Sequence, residues 1–212
     1  MLLASQATQK SRPPFLPNDH SKTQVKVQVN NTMDKNRVLA GEHLFDTERL
    51  TVRQLTLNDR QFMFDLLNSD GFKQNIADRE IDTLDKAEGE ILQRYTLQYP
   101  KLGFFVVTKQ DDGTAIGGVT LIQRDYLDVP DIGYAFLEKF GGQGYALEAS
   151  RGLLQWAIDQ KVYQKLCAIT LPSNHRSINL LNKLGFEFID VRPLGEPPIP
   201  ESYFEYAVKS RV

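Results

Sequence analysis

The stretch Gly141-Gly142-Gln143-Gly144-Tyr145-Ala146-Leu147-Glu148-Ala149 joins a predicted strand, 132–137, to a segment rich in Ala and Leu that has helical spacing and ends near Asp159. Glycine lets the backbone approach a ligand closely, and the first N–H groups of a helix have no partner within it. These N–H groups and the helix dipole favour a phosphate. The stretch therefore predicts an anion-binding turn, unless its glycines only make a tight connection. The expected N–H donors are Gly142, Gln143, Gly144, Tyr145 and Ala146.

Two familiar phosphate-binding loops do not fit this turn. A P-loop requires Gly-Lys followed by Ser or Thr, which the stretch lacks. The dinucleotide motif Gly-x-Gly-x-x-Gly requires a third glycine where this chain has Leu147. The expected ligand is therefore a phosphate compound of another class.

Periodicity on both sides of the turn predicts a mixed α/β sheet. Alternating apolar residues indicate half-buried strands, and apolar residues three and four apart indicate helices. Asp112-Gly113 predicts a hairpin turn, whereas Thr83, Asn174 and either Asn58 or Asp59 are expected to cap helices. The predicted order is strand, two helices, three strands, helix, strand, helix and two strands. The predicted strands cover residues 48–55, 104–108, 115–122, 132–137, 166–171, 186–191 and 203–208.

Two ordered blocks carry a resemblance to a known family. Ile132-Gly133-Tyr134 followed by 142–149 resembles the acetyl-CoA motif of the GNAT N-acetyltransferase superfamily, and is nearest to its RimJ/RimL-like group. Asn174-His175-Arg176-Ser177, running into Lys183-Leu184-Gly185-Phe186, resembles the family's Asn-x-x-Ser and Lys-x-Gly-Phe segments. Gly141 stands where relatives often have Gln or Arg, which removes a side chain but leaves the backbone cradle. The resemblance spans roughly residues 48–208.

The resemblance implies one domain over residues 46–212 with the acyl-CoA N-acyltransferase fold, an α/β (α+β) mixed sheet of six to seven strands with helices on both faces. It implies an acetyl-CoA dependent enzyme that acetylates a primary amine by direct attack in a ternary complex. The acceptor would be a protein N-terminal α-amine or a small-molecule amine. Leu181 stands where many relatives have a proton-donating Tyr, so a noncatalytic acyl-CoA binding or regulatory module on the same fold is the alternative.

In the family, the fourth and fifth of the predicted strands splay apart, and the pantetheine arm lies along the edge of the fourth. The resemblance places that edge at Ala135, Phe136 and Leu137, where a backbone N–H would polarise the thioester carbonyl. It makes Ser177 the hydrogen-bond donor to the coenzyme sulfur, unless Ser177 only caps or packs within its helix. Asn174 would cap that helix, contact the coenzyme, or do both.

The attacking amine must be neutral, so a base or a chain of waters has to accept its proton. Asp131 is expected either to accept that proton or to recognise a cationic amine, although an exposed Asp at a strand start is commonplace. Tyr134 would line either the cleft or the core. Glu148 is sufficiently explained by the dipole of the helix that it begins. Cys167 lies on an apolar strand, which favours a core position over a nucleophile.

Composition limits the other function classes. The chain has 212 residues, 41% of them hydrophobic, and a formal net charge of -2, which disfavours binding to nucleic acid or to an anionic membrane. Its single cysteine allows no internal disulfide and no Cys/His zinc cluster, and we expect no metal. It contains neither a signal-peptide core nor a long apolar run. A soluble cytoplasmic protein is expected, and the sequence is compatible with a homodimer.

Residues 1–45 are rich in Gln, Asn, Ser, Thr, Lys and Pro and show no sustained period. This composition predicts a flexible extension. Two alternatives remain at this point: a tail that binds a partner, and a native start at Met33 with a leader or an annotation artefact upstream of it.

Overall fold

The computed structural model describes residues 41–208, so most of the predicted extension lies outside the described residues. The sheet has eight strands. They are β1 (His43–Asp46), β2 (Leu50–Gln54), β3 (Gly103–Lys109), β4 (Ala115–Ile122), β5 (Asp131–Phe136), β6 (Lys165–Thr170), β7 (Glu187–Leu194) and β8 (Ile199–Ala207). The α-helices are α1 (Arg60–Leu67), α2 (Asp70–Asn75), α3 (Leu84–Glu90), α4 (Tyr145–Asp159) and α5 (His175–Leu184). The single-turn elements are Leu57–Asp59, Ile91–Tyr95, which continues α3, and Glu138–Phe140.

The sheet confirms the predicted mixed α/β fold and has one strand more than the seven placed from the sequence. The strands lie in the order β1-β2-β3-β4-β5-β6-β8-β7, and only β5 and β6 are parallel neighbours. The additional strand is β1, which pairs with β2 through an irregular register and begins inside the predicted extension. Its four residues place Leu44 beside Phe45 rather than in alternation, so they lack the period of a strand.

Helices cover both faces of the sheet. On one face α4 packs across β4 and β5, where the Trp156 ring meets the Phe105 ring edge-on at 5.9 Å. On the other face, the turn that continues α3 brings Tyr95 to 5.3 Å from Phe104, again edge-on. Phe104 and Phe105 are almost completely buried because the alternation of β3 sends one ring into each layer of the core.

Local chemistry explains where the elements begin and end. Thr83 and Asn174 cap α3 and α5 as predicted, each accepting a backbone N–H from three residues later. Gly185 ends α5 in the left-handed conformation with φ of 88°. The start of α1 differs from expectation because Asp59 does not cap it through a side-chain hydrogen bond. The Asp59 carboxylate instead accepts the backbone N–H of Thr56 at 2.8 Å.

β5 and β6 separate soon after they begin, as the family resemblance implies. Their register contains one pair, Asp131 with Cys167, and the Cys167 N–H donates to the Pro130 carbonyl at 3.0 Å. By contrast, β5 pairs with β4 along its whole length. The edge of β5 that faces β6 is therefore open beyond its first residue, and this edge leads toward the glycine-rich turn.

Candidate active site

The glycine-rich turn has a backbone that only glycine adopts easily. Gly142 and Gly144 have φ of 74° and 84°, in the left-handed region, where a Cβ introduces strain. Gly144 is the residue that immediately precedes α4 and serves as its N-cap. The two glycines therefore turn the chain from β5 into a helix of 15 residues, and the helix presents its N-terminus at the surface.

The N–H groups of this turn are available to a ligand. The Gly141 N–H donates to Glu138 O at 2.8 Å, and the Glu148 N–H donates to Gly144 O at 3.0 Å. Between these two bonds, the N–H groups of 142–147 find no acceptor among the described residues. The dipole of α4 adds a partial positive charge at the same place. The turn therefore fits an anionic group such as a diphosphate.

Arg49, which sequence reasoning did not single out, contacts this turn through its guanidinium group. Its Nη2 lies 2.6 Å from Glu148 Oε2, and its Nη1 donates to the Gln143 carbonyl at 3.1 Å. The guanidinium also lies over the Tyr145 ring, 4.5 Å from its centre. The sequence shows an acidic residue at position 148, but its cation is 99 positions away and only the fold brings them together.

Glu148 is occupied by these contacts. Its Oε1 also accepts the Thr47 hydroxyl at 2.7 Å and the Arg49 backbone N–H at 2.9 Å. Partial burial tends to raise the pKa of the Glu148 carboxyl, but the hydrogen bonds from Thr47 and Arg49 outweigh it, so the pKa is lowered. Glu148 is therefore a poor proton acceptor and a fixed negative charge next to the anion site.

Strand pairing identifies which backbone groups of β5 face the open edge. The Leu137 N–H donates to Ile116 O at 3.1 Å, so it points toward β4. N–H and C=O groups alternate in direction along an antiparallel pair, which sends those of Ala135 toward β4 as well. Tyr134 and Phe136 therefore present their backbone groups to the gap. Of the predicted edge, the backbone of Phe136 faces the gap, whereas the N–H groups of Ala135 and Leu137 face β4. Contact of Phe136 or Leu137 with the coenzyme stays a prediction.

Tyr134 and Ser177, two of the predicted catalytic residues, meet across the gap. The Tyr134 hydroxyl lies 2.8 Å from Ser177 Oγ, and it also donates to the Ser177 carbonyl at 3.1 Å. Asn174 Oδ1 accepts the Ser177 N–H at 3.1 Å, which fixes the first turn of α5. Burial raises the pKa of Tyr134 to about 12, so its hydroxyl keeps its proton at neutral pH.

Asp131 lies in different surroundings from those expected. It is 1% exposed, and both carboxylate oxygens accept from Arg124, at 2.7 and 3.3 Å. Burial raises the pKa of Asp131 in spite of the opposing charge of Arg124. Alternation along β5 also places its side chain on the opposite face from Tyr134. Asp131 is therefore buried and ion-paired rather than exposed, and its role as proton acceptor stays a prediction.

Glu201 is a second carboxylate on the Asp131 side of the sheet. The pairing of β6 with β8 places Glu201 on the same face as Cys167 and Tyr203. Glu201 is half-buried, and its carboxylate has no hydrogen-bond or ion-pair partner among residues 41–208. Burial, together with the nearby Asp131, raises the pKa of Glu201, whereas Arg124 lowers it. The sequence places this residue in a proline-rich stretch but cannot show that it lies near Asp131.

Cys167 lies in the core, in agreement with the simpler interpretation. It is completely buried in a small cluster with Leu127 and Tyr203. Burial raises the pKa of the Cys167 thiol to about 12, with a further contribution from Asp131. A thiol held protonated in this way is a poor nucleophile.

The described part of the chain offers neither a cluster of metal ligands nor a helix that could span a membrane. Residues 41–208 contain no group of three or more His, Cys, Asp or Glu side chains arranged to hold a metal ion. Within the same range, no helix is both long enough and apolar enough to cross a bilayer.

Comparison with known proteins gives matches over most of the chain. Residues 49–187 match the family described as the acetyltransferase (GNAT) domain. The uncharacterized protein YkkB of Bacillus subtilis (strain 168) is 24% identical over 147 residues, which are 67% of this chain and 84% of YkkB. The crystal structure of a ribosomal-protein-S5-alanine acetyltransferase from Vibrio fischeri gives a TM-score of 0.66 at 18% identity, covering 78% of this chain and 97% of that one. RimL, a ribosomal L7/L12 α-N-protein acetyltransferase in complex with coenzyme A, gives a TM-score of 0.69 at 12% identity, covering 79% and 98%.

Proposed function

Since this chain belongs to the GNAT acetyltransferase family and is an acetyltransferase, we propose that it transfers the acetyl group of acetyl-CoA to a primary amine. The observation that carries the proposal is the open edge of β5, which has Tyr134 and Ser177 at one side and leads to the free N–H groups of 142–147. This arrangement offers separate places for a thioester, beside the open edge of β5, and for a diphosphate, at the glycine-rich turn.

The glycine-rich turn would hold the diphosphate of acetyl-CoA. Six successive N–H groups that have no acceptor within residues 41–208, at the N-terminus of a helix of 15 residues, supply donors for its oxygens. The pantetheine arm would then follow β5, where the backbone groups of Tyr134 and Phe136 point into the gap. An amide-bearing chain can pair with such groups in the manner of an added strand.

The chemical step would be a direct attack of the amine nitrogen on the thioester carbonyl carbon. A new N–C bond forms, the C–S bond breaks, the nitrogen loses a proton and the thiolate gains one. A backbone N–H of Tyr134 or Phe136 would stabilise the oxyanion. The step requires the Tyr134 hydroxyl to donate to Ser177 Oγ, 2.8 Å away, because only then is the Ser177 hydroxyl hydrogen left to bond the leaving sulfur.

The acceptor amine would approach from the opposite face of the sheet, past Glu201. The half-buried Glu201 carboxylate, which has no partner in the described part of the chain, can attract an ammonium group and accept its proton, since its pKa is raised toward that of a useful base. The buried ion pair between Asp131 and Arg124 would stabilise the face of the sheet that the acceptor amine approaches. The acceptor class remains a protein N-terminal amine or a small-molecule amine.

Two matched variants test the coenzyme site. Gly142→Glu places a carboxylate in the anion cradle, whereas Gly113→Glu makes the same change in the exposed β3–β4 hairpin turn. The two glycines have φ of 74° and 71°, and a Cβ at either one meets no atom within 4 Å. Isothermal calorimetry should show acetyl-CoA binding to the wild type and to Gly113→Glu, with binding lost in Gly142→Glu.

A thiol-release assay tests the transfer itself. Full-length protein and acetyl-CoA are mixed in turn with small amines and with peptides that have free N-termini, and thiol release is expected with at least one acceptor. Acetyl-CoA binding without thiol release from any acceptor would contradict the proposed transfer. Absence of acetyl-CoA binding would contradict the assignment of the glycine-rich turn.

A further inference from the structure

The β7–β8 hairpin carries a concentration of exposed apolar side chains at one end of the sheet. Four of the eight strongly exposed large hydrophobic residues of the described chain lie on it: Phe188 (55% exposed), Ile189 (45%), Val191 (51%) and Ile199 (44%). Within residues 41–208, β7 pairs with β8 on one side only and forms the outer edge of the sheet. An exposed apolar edge strand is a template for pairing with another strand.

Two facing prolines show which backbone groups of β7 point outward. Pro193 and Pro200 are register partners, and neither has an N–H. Such a pair is of the type that exchanges no hydrogen bonds, so by alternation Val191 and Ser202 form another pair of this type. The N–H and C=O of Val191 therefore point away from β8, toward the open edge. They are available to a second strand.

The sequence around Val191 is complementary to itself when it is reversed. An antiparallel copy of β7, related by a two-fold axis at Val191, places Val191 opposite Val191 and allows two N–H···O bonds between them. The same register places Asp190 of each copy opposite Arg192 of the other. Continued along the strand, the register brings Ile189 opposite Pro193, where a bulge interrupts β7 between Phe188 and Asp190. Asp190 of each copy therefore meets a basic residue of the other.

Neighbouring registers lose this complementarity. An axis at Asp190 or at Arg192 places two like charges directly opposite each other, which is destabilising. An axis between Val191 and Arg192 places a valine opposite an arginine on both sides. The charge pattern of β7 therefore selects one symmetric register, and the exposed side chains supply the apolar surface that pairing would cover.

We propose that β7 is a homodimer interface, in which the edge strands of two copies of this chain pair antiparallel about Val191 and extend the two sheets into one. Within one chain Arg192 Nε lies 2.6 Å from Asp190 Oδ1, and Arg192 Nη2 lies 2.9 Å from Asp190 Oδ2. The occupant is a second copy because a reversed copy of the same segment brings its own Asp190–Arg192 pair opposite this one, with each charge facing its opposite. This inference does not depend on the proposed acetyl transfer, because β7 lies at the end of the sheet and contributes no residue to the site described above.

Charge reversal with rescue tests the interface. Sedimentation velocity of the full chain should show a species of twice the monomer mass that grows with protein concentration. Asp190→Arg places arginine opposite Arg192, and Arg192→Asp places aspartate opposite Asp190, so each variant should sediment as a monomer. The double variant Asp190→Arg, Arg192→Asp restores opposite charges in the same register and should recover the dimer. Far-ultraviolet circular dichroism confirms that each variant is folded.

The other outcomes overturn the proposal. A wild type that is monomeric at every concentration would contradict the proposed dimer. This holds even if another part of the chain covers the exposed apolar residues of the β7–β8 hairpin. A dimer that is unaffected by the single reversals would place the interface elsewhere. If a single variant does not fold, amide hydrogen exchange of the wild type decides the question. The Val191 amide must gain protection as concentration rises, and unchanged protection contradicts the pairing.

Discussion

Arg49 places a positive charge against the turn proposed to bind the diphosphate, and it neutralises Glu148 at that position. If charge neutralisation is its role, Arg49→Gln leaves an unpaired carboxylate beside the phosphates and should raise the KM for acetyl-CoA about tenfold, with a smaller change in kcat. Initial-rate kinetics with varied acetyl-CoA measure this split.

The double variant separates charge from simple loss of structure. Glu148→Gln in the Arg49→Gln background removes the repulsive carboxylate and should return the KM most of the way to the wild-type value. If the double variant binds acetyl-CoA no better than Arg49→Gln, charge neutralisation is not the role of Arg49. The KM of Arg49→Gln should also fall as salt concentration rises, because salt screens exposed charges.

Ser177 is proposed to bond the leaving sulfur, and Tyr134 to orient Ser177. Ser177→Ala should lower kcat on the order of 100-fold and leave the KM for acetyl-CoA nearly unchanged, because the lost interaction belongs to the transition state. Tyr134→Phe should lower kcat less, since it removes only the orienting bond. Rates of thiol release at saturating acetyl-CoA give these values.

The pH profile provides the control for Tyr134. Its pKa is raised to about 12, so its protonation does not change in the neutral range. The apparent pKa values of kcat between about pH 6 and pH 9 should therefore be the same in the wild type and in Tyr134→Phe. A change in the neutral limb of the profile would show that Tyr134 itself titrates there, contrary to this assignment.

At the residue scale, the sequence was sufficient to predict the role of a residue where that role depends on neighbours close in the chain. The capping role of Asn174 is a short-range feature, and the glycines of the turn are recognisable from their spacing. The burial of Asp131, the free carboxylate of Glu201 and the contact of Arg49 with Glu148 depend on distant segments. Nothing in one sequence specifies such pairings.

At the scale of elements, α4 and β1 are held together by a close approach. A Cβ on Gly152 would come within 2.5 Å of the Phe45 ring and within 3.0 Å of the Thr47 methyl group. Gly152→Ala should therefore lower the free energy of unfolding by about 1–3 kcal/mol, through overpacking that outweighs the gain in helix propensity. Urea denaturation measures the change.

Gly89→Ala is the matched control for Gly152→Ala. Gly89 lies in α3, and a Cβ there meets no atom within 4 Å. The same substitution should therefore raise the free energy of unfolding by about 0.5–1 kcal/mol, since alanine is the better helix former. If the two variants change stability in the same direction, the close packing of Phe45 on α4 does not matter to the fold.

The elements themselves were largely predictable because most have a clear period. The hairpin between β3 and β4 and the helix α4 follow from alternation, an Asp-Gly turn and helical spacing. β1 and α2 were missed because they are short, with four and six residues, and too brief to show a period. The additional strand matters to the site, because Thr47 and Arg49 follow it and reach the glycine-rich turn.

At the scale of the whole molecule, stability at low pH depends on carboxylates that are ionised in the folded state. Asp59 links β2 to the start of α1, with Arg53 Nη2 2.7 Å from its Oδ1 and the Thr56 N–H 2.8 Å from its Oδ2. Burial tends to raise the pKa of Asp59, but the hydrogen bonds from Arg53 and Thr56 outweigh it and lower the pKa below 3.8. The stabilisation is therefore present above pH 3.8 and is lost as pH falls through the lower, folded-state pKa.

Asp59→Asn should consequently destabilise the protein by about 2 kcal/mol at neutral pH, because it removes charged hydrogen bonds that are mostly buried. The difference from the wild type should shrink as pH falls and nearly vanish once the pH lies below the lowered, folded-state pKa, where Asp59 is protonated in both folded and unfolded chains. Urea denaturation at a series of pH values measures this, with Asp125→Asn as the control at an exposed carboxylate. A difference that stays constant with pH would mean that the side-chain amide disturbs packing, and that the ionised Asp59 carboxylate does not stabilise the fold.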